Sequence, residues 1–270
     1  MSKIHIPNGA PTQHTEEEIS SLVDVFTAGK VRAAQEDRLL VIFNGTVGAG
    51  KTRAMNHYFH DLGPEEKSQT VYCAYDEHGL LFAMKKYRDE IKALRRKHNG
   101  KLPHKERMEI RDKYQLDTQY GFALVQQKAI EQGNSLFIDM TMQSKHALSA
   151  LEPYKKDGRK IILESYISPR EIAKERVNRR IRSLWPDEFD KKYDGWFGNF
   201  ANLVDNGLAI HLHHNPEDGK PPLLVASFNN GAAMDINNEH YTRMVEDLQK
   251  QKGQTQIFLK KIEELVNAYS

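Results

Sequence analysis

The sequence predicts an α/β domain of three layers, with helices on both faces of a central, mostly parallel sheet. Three observations predict it: short continuous apolar runs of the kind buried on both sides of a sheet, helical stretches between them, and a glycine-rich loop directly after the first run. A chain of 270 residues accommodates one large domain of this class. Lysine and arginine total 39 against 37 for aspartate and glutamate, and this net +2 gives no chain-wide field of the sort that draws nucleic acid. With 39% hydrophobic and 28% charged residues, the composition provides a real core and excludes disorder throughout. The one cysteine, Cys73, excludes an intrachain disulfide and an all-thiolate metal centre, and it suits a reducing compartment. No apolar stretch has the length of a signal peptide or a membrane span. The expectation is therefore a cytoplasmic protein with no membrane partner; export by a signal-less route would leave no mark.

Residues 1–14 carry Pro7, Asn8, Gly9 and Pro11 with little apolar pattern, which predicts a mobile arm before a domain over 15–270. Thr15 and Glu18 form a capping box, and Ile19, Leu22, Val23 and Phe26 follow at helical spacing, predicting a helix over 15–34. Buried strands are expected at 39–43, 70–74, 135–138 and 160–166, and helices at 78–98, 105–132, 145–156 and from Pro169 to Ser183. Late strands at 208–213 and 223–228 precede a C-terminal helical region over 239–267, interrupted near Gly253. Residues 85–115 form a basic helical insertion, broken at Asn99-Gly100. Two solvated helix faces explain its charge, and so would a patch for a phosphorylated substrate or partner.

Residues 45–52, Gly-Thr-Val-Gly-Ala-Gly-Lys-Thr, complete the pattern G-x-x-x-x-G-K-[ST] between a strand and a helix. Gly45, Gly48 and Gly50 let backbone N–H groups turn inward as an anion nest at the positive end of the next helix. A nucleoside triphosphate is the expected guest, with Lys51 on its outer phosphates and the Thr52 hydroxyl in the shell of a bridging magnesium ion. Asp76-Glu77 and Asp139 follow strand runs, so a parallel sheet brings them to the loop's edge. Each is suited to proton acceptance or magnesium binding, and equally to capping the next helix. Arg176, Arg179 and Arg180 share a helix face and would bring positive charge to the γ-phosphate, unless that face is simply solvated.

Trp185-Pro186 and Gly195-Trp196-Phe197-Gly198 read either as a mobile flap with aromatic anchors or as core. Asn229-Asn230-Gly231 would turn the chain under an adenine, with Asn230 as the contact, or would form an ordinary turn. His211 and His213 fall on one side of a strand with no acidic or cysteine partner nearby in sequence, which speaks against a transition-metal site.

The order of these features resembles the zeta-toxin kinases, which include UDP-N-acetylglucosamine kinases of toxin–antitoxin systems. The resemblance runs from Leu39 to Gly231 and rests on the loop at 45–52, Asp76-Glu77, the stretch from Gly133 to Thr141, Ser168-Pro169-Arg170 before an arginine-rich helix, and Asn229-Asn230-Gly231. It implies a P-loop kinase fold and ATP-dependent phosphorylation of a hydroxyl on a nucleotide-sugar or similar metabolite, with a dinucleotide such as NAD as a second acceptor class. It also implies ATP and magnesium as cofactors and an antitoxin-like protein inhibitor. Lys51 and Thr52 would then hold phosphates and magnesium, and Asp76 would be the base, with Glu77 as the other candidate. Glu77, Asp139, Thr141 and Arg176 would contact substrate, and Arg180, together with Arg176, would be the lid arginine. The family's Glu-Gly-Thr and nearby arginine are replaced here by Asp139-Met140-Thr141 and Gln143, so a substrate phosphate would lose its bidentate partner. A nucleotide-dependent switch would need an N-K-x-D strand end, of which Lys191-Lys192-Tyr193-Asp194 is a poor echo. A nucleic-acid end kinase would use the basic insertion.

Overall fold

The computed structural model describes residues 3–7, 11–75, 79–179 and 184–269. In chain order it contains α1 (Glu16–Thr27), β1 (Leu39–Gly45), α2 (Lys51–Asp61), α3 (Pro64–Gln69), β2 (Thr70–Cys73), α4 (Leu80–Ala83), α5 (Lys85–Lys97), α6 (His104–Lys113), α7 (Gln115–Gln132) and β3 (Ser135–Asp139). There follow α8 (Glu152–Lys156), β4 (Lys160–Ile167), α9 (Arg170–Arg179), α10 (Pro186–Asp205), β5 (Ala209–His214), β6 (Leu223–Asn229), β7 (Ala232–Ile236), α11 (Asn238–Leu248) and α12 (Gln254–Tyr269). The strands form one sheet in the order β2-β3-β1-β4-β5-β6-β7. Neighbours from β2 to β5 are parallel, whereas β6 and β7 add antiparallel.

Alternation along β1 explains the layering, because successive side chains point to opposite faces. Leu40 and Ile42 join a large core with residues of α1, α7, α10 and α12, while Val41 and Phe43 pack with Met55 of α2. Helices therefore cover both faces, and β1 is sealed from water on each side. That burial accounts for the unbroken apolar run.

Several expectations are corrected. The first helix stops at Thr27, not residue 34: Gly29 takes a left-handed φ of 68°, and the chain then runs along the sheet, with Val31 N donating to Ser68 O at 2.9 Å and Ala33 N to Gly133 O at 3.0 Å. The expected helix over 78–98 divides at Met84, where α4 ends. The strand β7 was not anticipated; Asn230 (φ 50°) and Gly231 (φ 78°) turn β6 back into it. The described part of the arm is anchored: the backbone N–H groups of Thr12, Gln13 and His14 donate to the buried carboxylate of Asp117 at 2.6, 3.1 and 2.9 Å.

Of the two readings of the aromatic segment, flap or core, Gly195-Trp196-Phe197-Gly198 takes the second: it is the middle of α10, while Trp185 caps the start of that helix. Trp196 is fully buried, and its indole N–H donates to Asn44 Oδ1 at 2.9 Å, just before the glycine loop. Trp196→Ala is expected to cost about 3–5 kcal/mol through the cavity it leaves and the lost partner of Asn44. Urea unfolding would check this.

Candidate active site

The loop at 45–52 joins β1 to α2 as the sequence pattern requires. Gly45 has φ 127°, and a Cβ there would lie 1.8 Å from Tyr166 O; at Gly48, φ 78°, it would lie 2.3 Å from Ala173 O. Only glycine lets the chain turn this close to β4 and α9. Protein donors hold the loop's carbonyls: Asn215 Nδ2 donates to Ala49 O at 2.8 Å, Arg176 Nη1 to Gly48 O at 3.4 Å, and Lys51 Nζ to Thr46 O at 2.9 Å and Gly45 O at 3.3 Å. With those acceptors engaged, the loop presents an anion with the positive end of α2 and its first N–H groups. The buried Thr46 hydroxyl has no protein partner among the described residues.

On one side of the loop lies a cavity of about 360 Å³. Four expected residues, Lys51, Thr52, Asp139 and Thr141, line it together. Asp139 sits at the end of β3, beside Phe43 of β1, and its Oδ1 accepts from Tyr75 N at 2.7 Å. Asp76, Glu77 and Arg180 lie outside the described residues, although Tyr75, next to Asp76, lines the cavity. Sequence reasoning missed Gln115 and Gln119 of α7 and Lys192 of α10, which complete the wall. Helical periodicity around buried Tyr193 and Trp196 turns Lys192 away from the core, but only the packing of α10 aims it here. Lys191-Lys192-Tyr193-Asp194 is thus helical, and no base-reading strand end is formed from it. Helix α10 also fixes the loop carrying Thr141: Asn199 Nδ2 donates to Met142 O at 2.9 Å and Ser144 O at 3.1 Å.

On the other side is a cavity of about 710 Å³, lined by Gly50, Arg53, Tyr58, Tyr166, Arg179 and Asn215. Arg176 belongs here and not with Thr141 and Asp139, which corrects its expected place against the substrate. Its guanidinium is turned toward the segment after β5, donating to Glu217 O at 2.7 Å and Asn215 Oδ1 at 3.3 Å and pairing with Asp218 at 3.2 Å. Burial pushes the Tyr166 hydroxyl well above the usual phenol range, and the Glu164 carboxylate adds to the shift, so the ring is neutral. Asn230 is also corrected. Phe228 pairs with Ile210 and Leu223 with His214, so the turn after β6 lies at the edge opposite the loop, remote from any nucleotide there. In the basic insertion, Lys97 pairs with Glu106 at 2.8 Å, Arg111 with Glu188 at 3.0 Å and Lys113 with Glu90 at 2.5 Å. Much of its charge is balanced within the fold.

The histidine strand has an acidic partner after all, supplied by β4. Buried Glu164 meets His211 Nδ1 at 2.7 Å and His213 Nε2 at 2.8 Å, and the His213 ring stacks on Tyr166 at 4.6 Å. No group of three or more ligating residues suited to a metal ion occurs among the described residues. Burial alone would raise the Glu164 carboxyl, but its hydrogen bonds with the two histidines outweigh burial and hold it below its ordinary value. The hydrogen bond to Glu164 raises His211. The stability Glu164 contributes is present above about pH 4.5 and is lost as pH falls through its lowered pKa; that of His211 is present below about pH 6.5 and is lost as pH rises through its raised pKa. Melting temperature is expected to fall as pH rises above about 6.5 in the wild type, with this component absent in Glu164→Gln.

No family profile matches this chain, and no curated protein matches it. Solved structures do. The AvrRxo1-ORF1:AvrRxo1-ORF2 complex with sulphate ions is 14% identical with a TM-score of 0.54, over 98% of this chain and 92% of that one. A structure from the PezAT chromosomal toxin–antitoxin system of Streptococcus pneumoniae is also 14% identical, with a TM-score of 0.56, over 94% and 98%. The chain shares the α/β fold of these neighbours, a mostly parallel sheet with helices on both faces. No helix among the described residues is long and apolar enough to cross a membrane.

Proposed function

We propose that this protein is an ATP-dependent small-molecule kinase that transfers the γ-phosphoryl group to a hydroxyl of a nucleotide-like metabolite. The observation that carries the reading is the glycine loop between two cavities, with Lys51 and Asp139 facing the smaller one. The larger cavity, walled by Tyr166 and Tyr58, suits a nucleoside; the smaller suits the acceptor. Magnesium fits the donor set, since the Thr52 hydroxyl and the Asp139 carboxylate are hard oxygen ligands in one cavity. When bound with ATP, it would neutralise phosphate charge beside those two residues.

The protein's own groups divide the remaining work. Lys51, now on the carbonyls of Gly45 and Thr46, is within a side-chain rotation of an anion in the nest and would offset charge on the migrating group. Lys192 supplies a second cation from the opposite wall. Asp76, which follows the cavity-lining Tyr75, is the proposed base for the acceptor hydroxyl, with Glu77 as the other candidate and Arg180 as lid arginine. Gln115, Gln119 and Thr141 would orient the acceptor by neutral hydrogen bonds. The toxin–antitoxin neighbour supports a further proposal, that a protein inhibitor covers this cleft. Incubation of the purified protein with labelled ATP, magnesium and a metabolite extract should yield a labelled small molecule; recovery of labelled inorganic phosphate alone would defeat the reading.

A further inference from the structure

The basic insertion turns one of its cations inward. Arg107, Met108 and Arg111 recur on the core side of α6, and the Arg111 side chain is only 7% exposed. A buried guanidinium is costly unless it is paired. Two carboxylates meet it: Asp112 Oδ1 accepts from Arg111 Nε at 2.8 Å, and Glu188 Oε2 accepts from Arg111 Nη1 at 3.0 Å. Glu188 stands in the first turn of α10, where the same Oε2 also accepts from Trp185 N at 3.1 Å. Its other oxygen, Oε1, lies 3.6 Å from the ammonium of Lys192, one turn further along the helix. Burial would raise the Glu188 carboxyl, but Lys192, Arg111 and the Trp185 N–H outweigh it and hold the group below its ordinary value. Glu188 is therefore an anion between two cations at neutral pH. The three residues line a recess of about 30 Å³, whose wall of Tyr75, Gln115 and Lys192 is shared with the acceptor cavity. The same end of the insertion is held to the start of α10 at two further points: Trp185 Nε1 donates to Asp112 Oδ2 at 3.3 Å, and His104 Nε2 lies 3.1 Å from Leu184 O.

Building on the kinase reading, we propose that Arg111 is a positioning residue for the reaction: it acts through Glu188, which holds the Lys192 ammonium on the wall of the acceptor cavity. Lysine carries its charge on a flexible four-carbon stem, so it offsets developing charge efficiently only where its place is fixed in advance. The guanidinium and the Trp185 N–H fix Oε2, which leaves Oε1 turned to Lys192. The insertion thereby takes part in the chemistry from its inner side, with no ligand needed on its outer surface.

The test is the initial rate of label transfer from saturating ATP and magnesium to the metabolite extract, with Arg111→Met and Arg111→Lys each made in the wild type and in Lys192→Met. Arg111→Met is expected to lower the rate about tenfold in the wild type but less than about twofold in Lys192→Met, where there is no ammonium left to position. Arg111→Lys should lose about threefold in the wild type, since an ammonium reaches Glu188 without the planar fork, and it carries the same comparison if Arg111→Met does not fold. Calorimetric affinity for a non-hydrolysable ATP analogue should stay within about twofold, because the substituted site is remote from the glycine loop. Equal losses in both backgrounds would mean that Arg111 only supports the fold, and wild-type rates in the folded variants would mean that it does nothing; either overturns the proposal. A second readout is independent of transfer: acetylation by acetic anhydride, followed by peptide mass, with exposed Lys191 as the internal reference. Lys192 should react more slowly than Lys191 in the wild type and several-fold faster in the Arg111 variants, with Lys191 unchanged. If acetylation responds in this way but the wild type labels no small molecule, the positioning stands and the kinase reading falls. Unchanged acetylation of Lys192 overturns the positioning whatever the transfer rate.

Discussion

Lys51→Ala is expected to reduce phosphoryl transfer by about 10²-fold or more, the scale on which a positioned donor to developing charge contributes. The ammonium group lies within 2.9 Å of Thr46 O and 3.3 Å of Gly45 O, at the mouth of the anion nest. Those carbonyls belong to a loop that is also held by Asn215 and by the close approach of β4 and α9. Loss of the lysine should therefore leave the loop in place. The melting temperature of the variant should stay within a few degrees of the wild type, while rate falls. Retention of wild-type transfer by a folded Lys51→Ala protein would mean that the loop is a structural turn and that phosphate binds elsewhere.

Asp139→Asn distinguishes chemistry from capping at the end of β3. The aspartate Oδ1 accepts from Tyr75 N, and an asparagine carbonyl can accept the same bond, so the tie between β3 and the segment after β2 survives. What disappears is the negative charge facing Lys51 and Thr52 across the acceptor cavity. Transfer is expected to drop by about 10²- to 10⁴-fold, the span usual for a lost general base or ion-ordering carboxylate. Thermal stability should change little. If Asp139→Asn turns over normally while Asp139→Leu is destabilised, the residue is a structural acceptor and the catalytic role must rest on the Asp76 segment.

The features legible in the sequence are those whose information is local. The glycine loop is set by the positive φ angles of Gly45, Gly48 and Gly50 and by its place between strand and helix, and a pattern eight residues long specifies both. The parallel strands were legible because burial on two faces forces unbroken apolar runs, and the first helix began where its capping box put it. The end of that helix was not legible, because residues 28–34 trade helical hydrogen bonds for partners at Ser68 and Gly133, far along the chain.

The site divides in the same way. Lys51 and Thr52 were named from the motif, Asp139 from its strand end and Thr141 from the resemblance, and the four line one cavity. Glu164 gave no signal, since the histidines that engage it are 47 and 49 residues distant. Arg176 and Asn230 were assigned by residue type and order, and the packing of α9 and the strand direction of β6 put them elsewhere. Trp196 read equally as a flap anchor or as core, because its burial depends on α12 and β1 closing over α10.

By itself, then, the sequence determined the strand–loop–helix unit at residues 45–52, the parallel sheet and the place of Asp139 at the end of β3, on the edge that carries the loop. These follow from backbone conformation and hydrophobic periodicity, which act over a few residues. The tertiary structure alone decided that α10 faces Lys192 toward the loop, that Glu164 is shared by two histidines, and that Arg111 of α6 meets Glu188 of α10. Those outcomes depend on packing and ion pairing between segments dozens of residues apart, for which no local pattern carries the information.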